Sequence, residues 1–320
     1  MSRVLTAPRC AVIIPAYNRH EEVRELALSL AERADGQAKI LVVDDGSNPP
    51  LNLGGSSRDI EVIRLNRNRG VAAARNAGVA RARALNTQVA VMIDSDCKLL
   101  NDAMSIHLAL HDDLPDVTAI GGSIFGAGDG FWARLDGVLS WVHSMPYGDR
   151  HIVESPYHLP TTNFSFKLNH VGDIETLFEE RLITGEDAHF IRQLREIGKT
   201  VVFSPEPQIE HRDRTLLGEV IAHHFVWGYH QYFVQLGGGL SPRCFALWYR
   251  ALFLLAFVPM APIFALAGAT LNLVPWLRAR PGNLIYFPVS YLIWLFKAVA
   301  VIRAALWPKR CLRQSVELQD

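Results

Sequence analysis

The sequence predicts an α/β domain on a largely parallel sheet, followed by a helical segment apolar enough to meet a membrane. Three observations predict it. Short, wholly apolar runs alternate with stretches of helical periodicity through residue 93, polar clusters stand at the ends of those runs, and the last quarter holds a long run without charge.

Taken in order, Ala11-Val12-Ile13-Ile14 is stopped by Pro15 and suits a strand buried on both faces. Glu21 to Arg33 follows with Val23, Leu26, Ala27, Leu30 and Ala31 at helical spacing. Ile40-Leu41-Val42-Val43 is a second buried strand, Glu61 to Leu65 a third, Val71 to Leu85 an alanine-rich helix, and Val89 to Ile93 a fourth strand. Open sheets of this kind bind ligands beyond the carboxyl ends of their strands. Tyr17-Asn18, Asp44-Asp45 and Asp94-Ser95-Asp96 fall at those ends. From Asn101 to Gly239 the pattern is less regular. Gly237-Gly238-Gly239 and Ser241-Pro242 then read as a linker. Ala251 to Leu271 carries no charge over 21 residues, with Pro259 and Pro262 inside it, so a kinked or re-entrant path is open beside a straight span. Leu284 to Trp307, interrupted by Lys297 and Arg303, reads as a second span or an interfacial helix. Two buried core helices are the bland alternative.

Composition narrows the function. The chain has 320 residues, 49% of them hydrophobic and 20% charged, so it can bury a large core and global disorder is excluded. Lys and Arg total 32 and balance 32 Asp and Glu, which argues against a nucleic-acid partner. The balance is uneven along the chain: residues 241–320 hold nine basic residues and two acids, leaving 23 and 30 for residues 1–240. Cys10, Cys97, Cys244 and Cys311 are too far apart for a zinc ribbon and suit a reducing compartment. Met1 to Cys10 lacks the apolar run of a secretory signal, so none is expected. Positive charge flanks both apolar segments, and attachment to the cytoplasmic face is the favoured arrangement.

The acidic groups carry the chemistry. Asp94-Ser95-Asp96 puts two carboxylates two residues apart after a strand, where strand alternation would turn both to one face. Like charges so placed call for a cation, and hard oxygen ligands suit magnesium or manganese, ions that also bind substrate phosphates. Alone, the same triplet is an ordinary strand-to-loop turn. Asp44-Asp45-Gly46-Ser47 is a similar acidic turn. Gly185-Glu186-Asp187 opens an amphipathic stretch containing Ala188, Phe190, Ile191, Leu194 and Ile197, where acids favour the positive end of a helix. Capping accounts for one of that pair and leaves the other over.

Order and spacing are more specific than any one piece. Val12 to Arg19 (VIIPAYNR), Val42 to Ser47 (VVDDGS), Asn66 to Asn76 (NRNRGVAAARN), Asp94-Ser95-Asp96 and Gly185-Glu186-Asp187 together resemble family 2 glycosyltransferases of the GT-A fold, over roughly residues 10–230. The resemblance implies a nucleotide-diphosphate sugar donor, with a UDP-sugar favoured, a divalent metal (Mn or Mg), and transfer with inversion to a saccharide or lipid-linked acceptor. With the apolar runs, the expected organisation is a catalytic domain over 1–240, with a nucleotide-binding half near 10–98 and an acceptor half near 99–236, then a membrane hairpin over 241–310 reaching the bilayer through 245–307, and a tail over 311–320. Carried over by position, Pro15, Ala16 and Tyr17 line the nucleobase pocket and Asp44 contacts base or ribose. Asn68, Gly70 and Arg75 lie near the nucleotide, and Asp94 and Ser95 near the donor. Asp96 binds the metal with His211 as a further ligand. Asp187 is the general base, and Glu186 orients the acceptor or the base.

Departures from the family limit the reading. The segment Ile191-Arg192-Gln193-Leu194-Arg195-Glu196 stands where processive synthases carry QxxRW, and no Trp follows, so a non-processive enzyme is expected. Polyprenyl-phosphate sugar transferases tend to read DADxQ where this chain reads Asp94-Ser95-Asp96-Cys97-Lys98. Gly126, Gly128 and Gly130 do not make a dinucleotide loop, because Phe131 stands where the third glycine belongs. His223, His224 and His230 sit among Phe225, Trp227, Tyr229, Tyr232 and Phe233 and read as a packing or membrane-contacting helix rather than a metal site. Thr161-Thr162-Asn163 could contact acceptor hydroxyls, or be a polar loop. Two alternatives stand beside the transferase: a sugar nucleotidyltransferase, which would need a glycine- and lysine-bearing loop absent from residues 11–20, and a non-catalytic membrane protein that binds sugar nucleotides.

Overall fold

The computed structural model describes residues 8–54, 59–154, 158–172, 174, 176–236 and 240–313. Its contacts divide into two compact units. The first comprises Met1–Phe125, His143–Glu179 and Phe190–His211, and the second Gly126–Val142, Glu180–His189 and Arg212–Asp320. Segments expected in the acceptor half group with the apolar helices, because their hydrophobic side chains share those helices' cores. The proposed Gly237–Gly239 linker lies outside the described residues.

The first unit is built on a mixed sheet. Strands β1 (Cys10–Ala16), β2 (Ala38–Asp44), β3 (Ile60–Arg64) and β4 (Val89–Ile93) pair in parallel in the order β3-β2-β1-β4, with Ile14 opposite Val42 and Val12 opposite both Ile40 and Val91. Helices α1 (His20–Ala34) and α2 (Val71–Ala84) supply crossovers, as the alternation predicts. All of β1 and β4 is buried, which is why both read as unbroken apolar runs. The expected parallel sheet stops there. Strands β5 (Cys97–Leu99), β6 (Val117–Ala127), β7 (His151–Ile152), β8 (Asn163–Lys167) and β9 (Thr200–Arg212) extend it in the order β4-β8-β6-β9-β5, with β7 on β9. The β4–β8, β6–β8, β5–β9 and β7–β9 pairs are antiparallel. Beyond β4 the regular alternation of apolar run and helical stretch ends, and strand neighbours are no longer joined by a single helix between them. Helix α3 (Ala103–Asp113) precedes β6, and Asp102 caps it by accepting the Ser105 N–H. The core joins Ile13, Leu41, Val43 and Met92 to Phe164, Phe166, Phe178 and Phe190, the last from helix α5 (Glu186–Glu196). Phe190 lies 5.1 Å from the rings of both Phe166 and Phe178.

The strand order has a consequence for function. The chain builds outward from β1 to β2 and β3, then returns to place β4 on the other flank of β1. Such a reversal marks the usual binding position of these sheets, at the carboxyl ends of β1 and β4. Tyr17-Asn18-Arg19 and Asp94-Ser95-Asp96 lie there.

The second unit holds α4 (Phe131–Ser140), α6 (Leu217–His230), α7 (Leu247–Ala279) and α8 (Phe287–Leu306). Helix α7 runs unbroken through Pro259, Pro262 and Pro275, so those prolines do not end it as the sequence allowed. It packs antiparallel to α8: Arg250 in its first turns donates to the carbonyls of Ala305 and Leu306, and Phe264 meets Trp294 at 5.4 Å. A side chain at Gly268 would lie within 2.3 Å of the Trp294 ring, so the close crossing requires glycine there. Both helices are long and apolar enough to cross a membrane. Leu252, Leu255, Ile263, Leu292 and Val299 stand exposed along them.

Candidate active site

The two strand-end turns are fastened to each other. Asn18, with φ of 54°, donates its N–H to Ser47 Oγ at 2.9 Å and accepts the Asn48 N–H on its side-chain oxygen at 2.9 Å. Asp44 closes the second turn. Its carboxylate accepts the N–H groups of Ser47 at 2.8 Å and Leu51 at 3.1 Å and pairs with Arg64. Burial pushes its pKa up, but the Ser47 hydrogen bonds, the Leu51 N–H and the guanidinium outweigh it and hold the group below the usual carboxylate range. Only 1% of Asp44 is exposed. Its oxygens serve the turn rather than present themselves for the base or ribose contact expected of them, and the exposed cation at that place is Arg64. Pro15 and Ala16 are likewise buried in β1, opposite Val43 and Asp44. Of the three expected nucleobase contacts, Tyr17 alone is open, at 47% exposure.

Asp45 organises the next segment. Its two oxygens accept the N–H groups of Arg69 and Gly70, each at 2.7 Å. Gly46 must be glycine for two reasons: its φ is +75°, and a Cβ there would lie 2.4 Å from the Arg67 carbonyl carbon. Gly70 also has positive φ, at 93°, and opens α2. Asn68 is exposed on this loop. Arg75, one turn into α2, is 4% exposed and donates to Asp94 Oδ1 at 2.7 Å.

The Asp94-Ser95-Asp96 triplet is not an extended strand. Cys97 N–H returns to the Asp94 carbonyl at 3.2 Å, so the residues form a tight turn and the expected same-face alternation does not apply. Each carboxylate takes its own partners. Asp94 lies between Arg75 and the Thr162 hydroxyl, which donates to Oδ2 at 2.8 Å. Asp96 lies 3.3 Å from Arg19 Nη2 and, through Oδ1, 3.3 Å from His211 Nε2. The β5–β9 pairing makes the second contact, since it sets His211 opposite Cys97. Burial raises the Asp96 pKa, but the hydrogen bond and charge of His211 and the nearby Arg19 bring it down to about 2. Ser95 is buried beside them.

These groups suit a divalent cation. One carboxylate oxygen and one imidazole nitrogen already face each other, and the rest of a coordination shell would come from donor phosphate and water, as is common for magnesium and manganese. Asp94 is engaged elsewhere, and among the described residues no group of three His, Cys, Asp or Glu could hold a metal. Glu186 and Asp187 open α5 after Gly185, whose φ is +84°. Asp187 Oδ1 accepts the N–H of Ala188 at 2.7 Å, and Glu186 is buried.

Arg64 was not singled out by sequence, Arg19 and Asp45 stood in the quoted motifs without a role of their own, and Thr162, read as a possible acceptor contact or part of a polar loop, meets Asp94. Asn163, read as an acceptor contact or part of a polar loop, opens β8. Its amide donates to the carbonyls of Ser123 and Pro207 at 2.9 and 3.0 Å and it is 1% exposed, so it clamps strands rather than facing an acceptor. Behind it a buried chain runs from His107 Nε2 at 3.0 Å to Asn163 Oδ1, from Ser165 Oγ to His107 Nδ1 at 2.8 Å, and from His111 Nε2 to the same Oγ at 2.9 Å. In the second unit His224 is buried against Asp136 at 3.0 Å, and His223 stacks near Trp227.

Comparison with known proteins agrees with this geometry. A family model described as "Glycosyl transferase family 2" matches residues 11–178. Pre-mycofactocin glycosyltransferases from two strains of Mycobacterium tuberculosis are 28% identical over 226 residues, which is 68% of this chain and 45% of theirs. An uncharacterized glycosyltransferase of Bacillus subtilis, YfnE, is 30% identical over 132 residues, 40% of this chain and 31% of its own. The chain thus spans less than half the length of the curated relatives it matches. Among solved structures, the mannosyltransferase PcManGT from Pyrobaculum calidifontis, in complex with GDP-Man and Mn2+, superposes with a TM-score of 0.56 at 18% identity, covering 95% of this chain and 88% of that one.

Proposed function

The chain belongs to glycosyl transferase family 2, and from that premise we propose that it is an inverting, non-processive glycosyltransferase working at the cytoplasmic face of a membrane. The observation that carries the proposal is the Asp96–His211 pair at the carboxyl end of the sheet, beside a second carboxylate with its own cation. An adaptor that merely held a nucleotide would not need two acids so separately partnered.

In this reading the donor is a nucleotide-diphosphate sugar, with a UDP-sugar favoured, and Tyr17 and Arg64 border the base. Asp45 holds the Asn68–Gly70 loop near the nucleotide. Arg75 and Thr162 hold the Asp94 carboxylate in place, aimed at the donor. Asp96 and His211 would hold a manganese or magnesium ion, which when bound would supply charge stabilisation to a departing diphosphate. Arg19 sits on the same carboxylate and adds positive charge at that place. An acceptor hydroxyl is a poor nucleophile until it loses its proton, and Asp187 takes that proton as the hydroxyl attacks the anomeric carbon. Glu186, its neighbour, orients the base or the acceptor. The acceptor is a saccharide or a lipid-linked group, and α7 and α8 attach the enzyme to the bilayer that presents it.

The test uses the purified full chain with a panel of nucleotide sugars, with and without manganese, reading nucleoside diphosphate release and donor binding. Asp187→Asn should bind donor normally and lose roughly 10²–10⁴-fold in turnover, the usual worth of a positioned base. Asp96→Ala should lose the manganese dependence of donor binding. Near-normal turnover in the first variant refutes the base, and an unchanged manganese titration in the second refutes the metal pair.

A further inference from the structure

The helical unit carries a cleft that the transfer reaction does not use. A cavity of about 250 Å³ opens where the start of α7 meets the turn after α8, lined by Phe245, Arg250, Leu306, Trp307, Pro308, Lys309 and Arg310. Three of its seven lining residues are cations. Arg250 is committed in part to the last carbonyls of α8, which fixes the guanidinium at the cleft wall. Lys309 and Arg310 are exposed, and neither side chain has an ion pair or hydrogen bond among the described residues. Residues 241–313 contain nine Lys or Arg and not one Asp or Glu. A concave site with unneutralised guanidinium and ammonium groups selects an anion with several acceptor oxygens.

The surroundings say where that anion comes from. Trp248 and Trp307, exposed at this end of the hairpin, are of the type that settles at headgroup depth. The exposed apolar faces of α7 and α8 begin immediately beside the cleft, with Leu247 and Leu252 on one helix and Leu306 on the other. An acyl chain leaving the cleft would run along leucine. A soluble phosphate would gain nothing from that wall.

We propose that this cleft binds the phosphoryl headgroup of a membrane lipid, held by Arg250, Lys309 and Arg310 with its chains along the hairpin. The proposal rests on the reading of α7 and α8 as membrane-attached. It adds to that reading a built headgroup site at one end of the hairpin, which makes attachment selective for anionic, phosphate-bearing lipid.

The full chain in non-ionic detergent is titrated with phosphatidic acid, phosphatidylcholine or inorganic phosphate, and the apparent Tm is followed, since a ligand of the folded form raises it. Phosphatidic acid should raise the Tm in a saturable way and the other two should not. K309Q/R310Q, which changes only exposed side chains, should need about tenfold more phosphatidic acid for the same rise, whereas R278Q/R280Q, an equal loss of charge at the opposite end, should respond as wild type. Equal shifts with phosphatidylcholine, equal shifts with inorganic phosphate, or an unchanged response of K309Q/R310Q each overturn the site. Flotation with vesicles of phosphatidylcholine alone separates the two ideas. Failure to float overturns membrane attachment and the site with it, while flotation without a phosphatidic acid response overturns the site alone.

Discussion

Replacing Asp45 by asparagine isolates what the second aspartate of the Asp44-Asp45 turn does. The native carboxylate is 3% exposed and accepts two backbone N–H groups, from Arg69 and Gly70, both at 2.7 Å. Hydrogen bonds to a charged acceptor contribute about 1.5–3 kcal/mol each. Asparagine keeps one acceptor oxygen and turns its amide hydrogens toward the other N–H, so one bond is lost and one buried donor faces another donor. The combined cost is roughly 3 kcal/mol. In a domain of this size each kcal/mol moves Tm by about 2–4 °C, so a drop of about 6–12 °C is expected if the loop stays in place. If the loop detaches instead, stability is spared and the cost moves to donor affinity, because the exposed Asn68 and the opening turn of α2 lose their fixed positions. Calorimetry of the full chain and donor KM, measured together, capture both routes. A variant with native Tm and native donor KM would refute the claim that this carboxylate holds the nucleotide loop.

Three other outcomes follow from the same contacts. Thr162→Val removes the hydroxyl from Asp94 and should raise donor KM roughly tenfold with kcat little changed, read from initial rates; a fall in kcat alone contradicts the donor role. Burial holds His107 at a pKa of about 4 and His111 at about 3, the latter helped by the positive groups near it, while both titrate near 6.5 when unfolded. Folded pKa values below the unfolded ones mean that stability is full above about pH 6.5 and is lost as pH falls toward about 4, so the urea midpoint should drop across that window and His107→Asn with His111→Gln should flatten the slope. Asp136 is buried with His224 at 3.0 Å and Arg214 at 3.2 Å; burial raises its pKa, yet these two partners outweigh that and keep it below the usual carboxylate range. Asp136→Leu should destabilise the helical unit by about 3–5 kcal/mol, toward the low end because Arg214 still reaches water, and a native melting curve contradicts the ion cluster.

What was legible in the sequence is what short segments decide for themselves. β4 lies at the residues its apolar run marks, and β1, β2, α1 and α2 lie within a few, because burial on both faces leaves a local trace in the composition. The antiparallel half left no such trace. Nothing in Cys97-Lys98-Leu99 names β9 as its partner, so the nearness of His211 to Asp96 came from family likeness rather than from pattern. Asp44 illustrates a different limit. Its motif suggested a ligand contact, but Arg64, twenty positions on, arrives through β2–β3 pairing and takes the carboxylate.

The same logic explains why the two aspartates of the triplet can have different tasks. Two carboxylates this close repel, and a shared metal is only one way to relieve that. Here the turn at Asp94–Cys97 splays them toward separate partners, Arg75 for the first and Arg19 with His211 for the second. Asp94 therefore has its charge balanced by protein, whether or not a metal is bound. Asp96 instead keeps an imidazole 3.3 Å from its Oδ1. Sequence spacing could suggest that two acids meet; only the strand register, which brings β9 to β5, decides which of them meets the histidine.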